Sequence, residues 1–185
     1  MNLPPPSLEA SAHSRELVAA IGREITARGG WIPFARFMEL ALYAPGLGYY
    51  SAGARKFGAA GDFVTAPEMS AFFGRALARQ VAQVLEASQP LLLEVGAGSG
   101  RLAADLLREL EALGRLPERY EILDLSADLR ERQRATLAAA APHLLPRVHW
   151  LERLPEAFSG VVVANEVLDA MPAHVVAWRD DGIFE

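Results

Sequence analysis

Apolar residues recur at helical spacing through the first 90 positions of the chain. Leu17, Ile21 and Ile25 form one stripe, and it is followed by a Gly-Gly pair that is typical of a helix end. A second helix is predicted over residues 34–42 and a third over residues 67–85. We therefore expect a helical N-terminal extension over residues 1–88. It includes a glycine-rich loop, residues 53–62, that is predicted to act as a lid.

The pattern changes at residue 91, where short apolar runs begin to alternate with helical stripes. The predicted strands are residues 91–95, 120–125, 148–151 and 161–164, with residues 173–178 as a candidate fifth strand. The β-branched fourth strand is expected to be buried on both faces. A helix follows each of the first two strands, and Ser126 is the predicted N-cap of the second helix. Alternating strands and helices predict an α/β domain with a parallel sheet over residues 89–185.

The first predicted strand leads directly into a glycine-rich turn. Gly96, Gly98 and Gly100 stand at alternate positions, and Glu94 precedes them. Glycine allows a sharp turn and the close approach of a ligand, and the helix that follows offers free N–H groups to electronegative atoms. The dinucleotide fingerprint needs its third glycine where this chain has Arg101. A nucleotide-like ligand is predicted, with a nicotinamide or flavin nucleotide or a purely structural turn as the alternatives.

Two further acidic features follow predicted strands. Asp124 ends the second strand, where nucleotide-binding α/β folds use a carboxylate to accept hydrogen bonds from ribose hydroxyls. The alternative for Asp124 is a solvated acid at a strand end. Asn165, Glu166 and Asp169 follow the fourth strand. Two carboxylates can hold and orient a guanidinium group by bidentate hydrogen bonds. The alternative for this pair is that both acids flank a short helix.

The acid before the glycine turn resembles the first motif of class I S-adenosylmethionine (SAM) methyltransferases, and other segments make the resemblance more specific. Thr65 and Glu68 have the spacing of a capping box for the third helix, but that does not explain the preceding Gly61-Asp62. Taken in order, the motifs resemble the MidA-like family of that class. They are Tyr43-x-Pro45-x-x-Gly48-Tyr49-Tyr50, Gly61-Asp62-Phe63-Val64-Thr65-Ala66-Pro67-Glu68, Phe73-Gly74, Glu94-Val95-Gly96-x-Gly98-x-Gly100 and Ala164-Asn165-Glu166-x-x-Asp169-Ala170-x-Pro172.

The resemblance implies a Rossmann-like methyltransferase sheet and SAM as the cofactor. Such a sheet has seven strands, so the chain is expected to be C-terminally truncated, with an open sheet edge and marginal stability. The residues implied to bind SAM are Glu94, Gly96, Gly98, Gly100 and Asp124. Those implied to line the methyl-transfer site are Asn165, Glu166 and Asp169. Those implied to border it are Asp62, Thr65 and Glu68.

The resemblance also implies an activity. The family includes a mitochondrial methyltransferase of complex I assembly that dimethylates an arginine, so a protein arginine N-methyltransferase is predicted. Its substrate would be a protein, such as a subunit of a respiratory complex. Two alternatives remain open: an assembly factor or chaperone that acts by binding its partner with little or no turnover, and a nucleotide-dependent oxidoreductase. Arg101 at the expected third glycine conflicts with the oxidoreductase.

Composition narrows these classes further. The 185 residues are enough for one domain with a short extension. The net charge of −5, without a basic stripe, disfavours nucleic acid as the main substrate. The chain has no cysteine, which excludes disulfides and cysteine nucleophiles, and its four histidines are scattered, so no metal site is predicted. Because neither a membrane span nor a secretory signal is evident, we expect a cytoplasmic protein in a bacterium.

Overall fold

A computed structural model describes residues 5–51 and 65–185 of the chain. The predicted lid loop, including Asp62, lies outside these residues. The chain divides into two compact units, one made of Met1–Ala54 with Leu168–Glu185 and the other of Arg55–Val167. The domain boundary expected after residue 88 stays a prediction. Among the helices of the described residues, none has the length and apolar character needed to cross a bilayer.

Two helices begin the first unit, α1 (Leu8–Ala27) and α2 (Phe34–Tyr43), as the apolar stripes predict. The hydroxyl of Ser7 caps α1 by accepting a hydrogen bond from the Ala10 amide at 3.1 Å. Both residues of the Gly-Gly pair after α1 have positive φ, which reverses the chain direction there. Glu24 of α1 accepts hydrogen bonds from Arg36 of α2 at 3.0 Å and from Arg28 at 2.8 Å, so a shared carboxylate links the two helices.

The second unit begins with two helices, α3 (Ala66–Met69) and α4 (Ala71–Ala87), where the sequence pattern predicted one. The prediction of a single helix over residues 67–85 is wrong because Ser70 has an extended backbone, with φ −161° and ψ 140°. Its hydroxyl accepts a hydrogen bond from the Phe72 amide at 3.1 Å and thereby starts α4 afresh. An apolar stripe can continue across such a break, so periodicity alone does not reveal it.

A four-stranded parallel sheet forms the centre of the second unit. Its elements are β1 (Leu91–Val95), α5 (Arg101–Ala112), β2 (Arg119–Leu123), α6 (Ala127–Ala140), a short 3-10 helix (Pro142–Arg147), β3 (Val148–Leu151) and β4 (Val161–Ala164). The strand order is β3-β2-β1-β4, and every pairing is parallel. The chain thus moves outward from β1 to β3 and then crosses to the opposite side of β1. This confirms the α/β prediction and creates a reversal of strand order between β1 and β4.

The core of this unit lies where α4 and α5 pack together beside the sheet. Leu92, Leu106, Tyr120 and Ile122 are all fully buried within it. The expectation that β4 is buried on both faces is wrong. Only Val163 is buried, whereas Val162 is 56% exposed, because successive side chains point to opposite faces of a strand and only the face of Val161 and Val163 packs on the core. Within the described residues β4 is an edge strand that pairs with β1 alone.

The last residues of the chain belong to the first unit. They contain a 3-10 turn (Leu168–Ala170) and an antiparallel hairpin of β5 (Ala177–Arg179) and β6 (Gly182–Phe184). The candidate fifth strand over residues 173–178 is therefore wrong as a member of the parallel sheet. Two strands that are joined by a tight turn pair most readily with each other, as β5 and β6 do here. Gly182, which follows the turn, has a φ of 148° that side chains rarely adopt.

Candidate functional site

The reversal of strand order places two chain segments at the same edge of the sheet. In open α/β sheets the crevice beyond the carboxyl ends of the strands, at such a reversal, is where ligands bind. The glycine-rich turn follows β1, and Asn165 and Glu166 follow β4. The two segments meet, because a Cβ added to Gly96 would lie 2.9 Å from a methyl carbon of Val167. The glycine-rich turn and the segment that follows β4 therefore lie together at the same edge of the sheet.

The backbone of the glycine turn favours glycine at each of its three positions. Gly96, Gly98 and Gly100 have φ values of 68°, 53° and 81°. Side chains are disfavoured in this left-handed region by about 1–2 kcal/mol per residue. A Cβ on Gly100 would lie 2.9 Å from the Cα of Gln133 in α6, so the turn also packs closely against that helix. The predicted tight turn is confirmed, and its close packing on α6 is an additional reason for glycine.

Glu94 lies within β1 and is buried. Its carboxylate accepts a hydrogen bond from the Tyr120 hydroxyl of β2 at 2.7 Å. Burial raises the pKa of Glu94 from 4.5 to about 7, the bond from Tyr120 acts against this rise, and the negative charge of Asp124 adds to it. A carboxylate in this state can accept a hydrogen bond from a cationic ligand group, which would favour its ionised form.

Asp124 directly follows β2 and is 7% exposed. One carboxylate oxygen accepts from the Ser126 amide at 3.0 Å and the other from the Gln133 side chain at 2.8 Å. Burial raises the pKa of Asp124, while these hydrogen bonds and the positive charge of Arg130 act in the opposite direction. Arg130 also donates to the main-chain carbonyls of Asp124 and Leu151, which ties the ends of β2 and β3 together. The carboxylate is therefore held in a fixed orientation.

Glu166 has an unusual backbone for a residue with a side chain. Its φ is 52°, and within the described residues it is the one non-glycine position in the left-handed region. Its side chain is exposed. Strained backbone of this kind concentrates at functional sites, where the surrounding structure maintains it. The backbone geometry of Glu166 therefore favours a functional role for this residue.

Asp169 belongs to the other compact unit, in the short turn Leu168–Ala170. Burial and the negative charge of Asp169 together raise the pKa of Tyr50. The hydroxyl of Tyr43 donates to the main-chain carbonyl of Ala170 at 2.8 Å, and the ring of Tyr43 stacks on that of Tyr50 with centroids 5.5 Å apart. The tyrosine segment and the residues from Leu168 onward are thus brought together within this unit.

Thr65 precedes α3 and Glu68 lies within it, but they do not form the capping box that their spacing suggests. The Thr65 side chain makes no capping hydrogen bond, and the carboxylate of Glu68 instead accepts a hydrogen bond from the Ser99 hydroxyl. Ser99 lies between the last two glycines of the turn, and its hydroxyl also accepts from the Arg101 amide at 3.3 Å. The capping-box interpretation is wrong because a long-range partner in the glycine turn takes the Glu68 carboxylate.

Three residues of the site were not singled out from the sequence: Tyr120, Gln133 and Ser99. Gln133 was visible as a polar member of the apolar stripe of α6, at helical spacing from Leu137. A buried polar side chain in such a stripe must find hydrogen-bond partners, and that requirement could have identified it. Tyr120 and Ser99 left no such signal, because each makes its contact with a residue 26 or more positions away.

Known proteins resemble this chain over nearly its whole length. A family model described as "putative S-adenosyl-L-methionine-dependent methyltransferase" matches residues 76–185. A crystal structure of a Burkholderia thailandensis protein bound to S-adenosyl-homocysteine is 56% identical, with a TM-score of 0.88. It is matched over 98% of this chain and 48% of that chain. A native structure from the same organism is 54% identical, with a TM-score of 0.83 over 98% of this chain and 46% of that one.

Curated relatives from animals are more distant. The mitochondrial protein arginine methyltransferase NDUFAF7 of Danio rerio is 28% identical over 95% of this chain and 47% of its own length. The protein of the same name in Mus musculus is 31% identical over 78% of this chain and 39% of its own length. The chain thus spans less than half the length of these relatives.

Proposed function

Because the chain belongs to this family of S-adenosyl-L-methionine-dependent methyltransferases, we propose that it binds SAM beside β1 and transfers the methyl group of SAM to a protein. The family match confirms the MidA-like resemblance, and the similar Burkholderia structures confirm the class I methyltransferase fold. The observation that carries the proposal is the S-adenosyl-homocysteine bound to a protein that is 56% identical over 98% of this chain.

The residues around the glycine turn fit such a ligand. The Arg101 amide donates to Ser99, and the next amides of α5 have no acceptor within their own helix. They can therefore receive the carboxylate of SAM, with a gain of about 0.3–1 kcal/mol from the helix dipole. Glu94 is proposed to face the ammonium group, and the glycines keep the turn free of side chains. Asp124 is proposed to accept hydrogen bonds from the ribose hydroxyls, because it is fixed at the end of the next strand.

The methyl-transfer site is proposed to lie beyond β4. When bound, SAM supplies an electrophilic methyl group on a sulfonium. Asn165, Glu166 and Asp169 are proposed to hold the attacking group of the substrate and, through a carboxylate, to receive the proton that methylation releases. The strained backbone of Glu166 supports this assignment. Thr65 and Glu68 are proposed to border the site, and Asp62 stays a prediction.

Arginine is the proposed target residue. Two carboxylates after β4 suit a guanidinium group, and relatives from several animals are named protein arginine methyltransferases. The sequence resemblance adds a subunit of a respiratory complex as the candidate substrate protein. We further propose a cytoplasmic site of action, in keeping with the bacterial origin of the similar structures.

The test is to incubate the purified protein with methyl-labelled SAM and bacterial lysate, and then to locate the label by mass spectrometry. Label on an arginine is expected, and Glu166→Gln and Asp169→Asn are each expected to reduce it by at least about 100-fold. Asp181→Asn is the matched control, because Asp181 is an exposed acid in the turn between β5 and β6 and is not among the proposed site residues.

Three other results would change the proposal in different ways. Equal labelling by the Glu166 and Asp169 variants would remove both residues from the site. Label on another residue type would contradict the arginine assignment and retain the methyltransferase. If the protein binds SAM and captures a partner but transfers no methyl group, the assembly-factor alternative is correct.

A further inference from the structure

A completely buried glutamine connects parts of the cofactor site that lie far apart in sequence. Gln133 stands in α6, and its exposed fraction is zero. Its side-chain nitrogen donates to the main-chain carbonyl of Gly98 at 3.1 Å and to the carboxylate of Asp124 at 2.8 Å. Its side-chain oxygen accepts from the indole nitrogen of Trp150 in β3 at 2.9 Å. One amide therefore contacts the glycine turn, the residue that directly follows β2, and a side chain of β3.

The three partners define the orientation of this amide. A primary amide has two N–H donors and an acceptor oxygen. The partners on one side, a carbonyl and a carboxylate, can only accept, and the partner on the other side, the indole N–H of Trp150, can only donate. A flipped amide would set its oxygen against two acceptors and its N–H groups against the indole. The nitrogen of Gln133 therefore points at Gly98 and Asp124 in the stable arrangement.

We propose that Gln133 is a positioning residue that orients the Asp124 carboxylate for the ribose hydroxyls and fixes it relative to the glycine turn. This inference rests on the proposed function, in which Asp124 contacts the ribose. Asp124 keeps acceptor capacity for those hydroxyls, because a carboxylate offers about four acceptor positions. The hydrogen bond from Gln133 also lowers the pKa of Asp124 against the effect of burial and so favours the ionised acceptor.

A neighbouring residue on the same helix supplies the control. Thr136 lies one turn from Gln133, and its hydroxyl donates to the main-chain carbonyl of Ser99 at 2.8 Å. Thr136 therefore supports the glycine turn without contacting Asp124 in the described structure. Both side chains support the glycine turn, but only Gln133 is proposed to orient the ribose acceptor. Comparing variants that lack one or the other side chain therefore separates the two effects.

The experiment measures affinities by titration calorimetry for S-adenosyl-homocysteine and for its 2′-deoxy and 3′-deoxy analogues. The unmodified protein is expected to prefer S-adenosyl-homocysteine by about 10- to 100-fold, the effect of a hydrogen bond to a charged group. Gln133→Leu is expected to reduce this preference to less than about threefold, in addition to weakening S-adenosyl-homocysteine itself. Thr136→Val is expected to weaken all three ligands equally and to leave the preference unchanged.

Gln133→Asn provides a second variant if Gln133→Leu does not fold, since the shorter amide cannot reach Gly98 and Asp124 together. An unchanged preference for the ribose hydroxyls in the folded variant would overturn the role of Gln133, even if its stability or overall affinity falls. If the unmodified protein itself binds the three ligands equally, the ribose role of Asp124 fails and the inference fails with it. The two failures are therefore distinguishable.

Discussion

Replacing Glu94 by glutamine should make the protein more stable at neutral and alkaline pH. Glu94 is 2% exposed, and burial raises its pKa from 4.5 to about 7. Glutamine has nearly the same shape and carries no charge. Its side-chain oxygen can still accept the hydrogen bond that the Tyr120 hydroxyl donates to Glu94. The substitution therefore removes the buried charge while it preserves the packing and this contact.

The magnitude follows from the two protonation equilibria. In the unfolded chain Glu94 loses its proton near pH 4.5, whereas in the folded protein it loses it near pH 7. Between these values the folded state holds a proton that the unfolded state has lost, so the free energy of unfolding falls as the pH rises. At about 1.4 kcal/mol per pKa unit, the total loss is about 3 kcal/mol, and it is complete above pH 7. Glu94→Gln lacks this loss.

Urea unfolding of both proteins from pH 5 to pH 8 measures the effect. Other titrating groups are common to the two proteins, so the difference between their free energies of unfolding reports on Glu94 and its interaction with Asp124. This difference is expected to shift in favour of Glu94→Gln by about 2.5 kcal/mol across the range, because pH 5 already lies above the pKa of the unfolded chain. Tyr120→Phe is the companion variant. Without the hydroxyl that stabilises the ionised carboxylate, the loss should extend to higher pH. Parallel pH profiles for the unmodified protein and Glu94→Gln would refute the reasoning.

The same carboxylate should couple cofactor binding to pH. If the ammonium group of SAM lies beside Glu94, binding favours the ionised form and releases a proton near pH 7. Affinity is then expected to rise with pH through 7 and to level off above it. Calorimetry in two buffers of different ionisation enthalpy measures the released proton. Equal proton release by Glu94→Gln would contradict the contact between Glu94 and the ligand.

Three further predictions concern the glycine turn and its neighbours. Gly96→Ala should destabilise the protein less in a Val167→Ala background, because the Cβ of the new alanine would lie 2.9 Å from a Val167 methyl carbon. Equal losses of melting temperature in both backgrounds would rule out this contact. Glu166→Gly should leave the free energy of unfolding unchanged or raise it by up to about 1 kcal/mol, because glycine adopts a φ of 52° without strain. Methyl transfer should nevertheless fall. Clear destabilisation in urea would count against backbone strain at this position. Ser99→Ala and Glu68→Met should each lose about 1 kcal/mol in urea unfolding, because each removes one partner of the hydrogen bond between the two side chains, and the double variant should lose no more. Additive losses would show that the two side chains act independently.

Local patterns predicted most of the secondary structure. The first two helices, the four parallel strands and the N-cap at Ser126 follow from features within a few residues of one another. The glycine turn belongs to the same class, since a positive φ at Gly96, Gly98 and Gly100 is a property of each residue's own backbone. Periodicity gave a wrong prediction at two places. At Ser70 a local cap interrupts the helix, and at residues 177–184 the strand pairs within a hairpin and not with the parallel sheet.

The candidate site was predictable only in part. The acids at strand ends could be named because parallel strands bring their carboxyl ends to one edge of the sheet. Their partners could not be named from the sequence. Glu94 is 26 residues from Tyr120, and Gly98 is 35 residues from Gln133. Which distant side chains meet depends on strand order and on the seating of each helix.

The sequence by itself therefore determined the elements of this protein and the chemistry available at their ends, because caps, turns and hydrophobic periods act over a few residues. Only the tertiary structure decided how that chemistry is tuned. Enclosure within the sheet raises the pKa of Glu94, and the packing of α6 against the glycine turn brings Gln133 to Asp124. Both effects arise from burial and from contacts between distant segments, which a linear pattern does not encode.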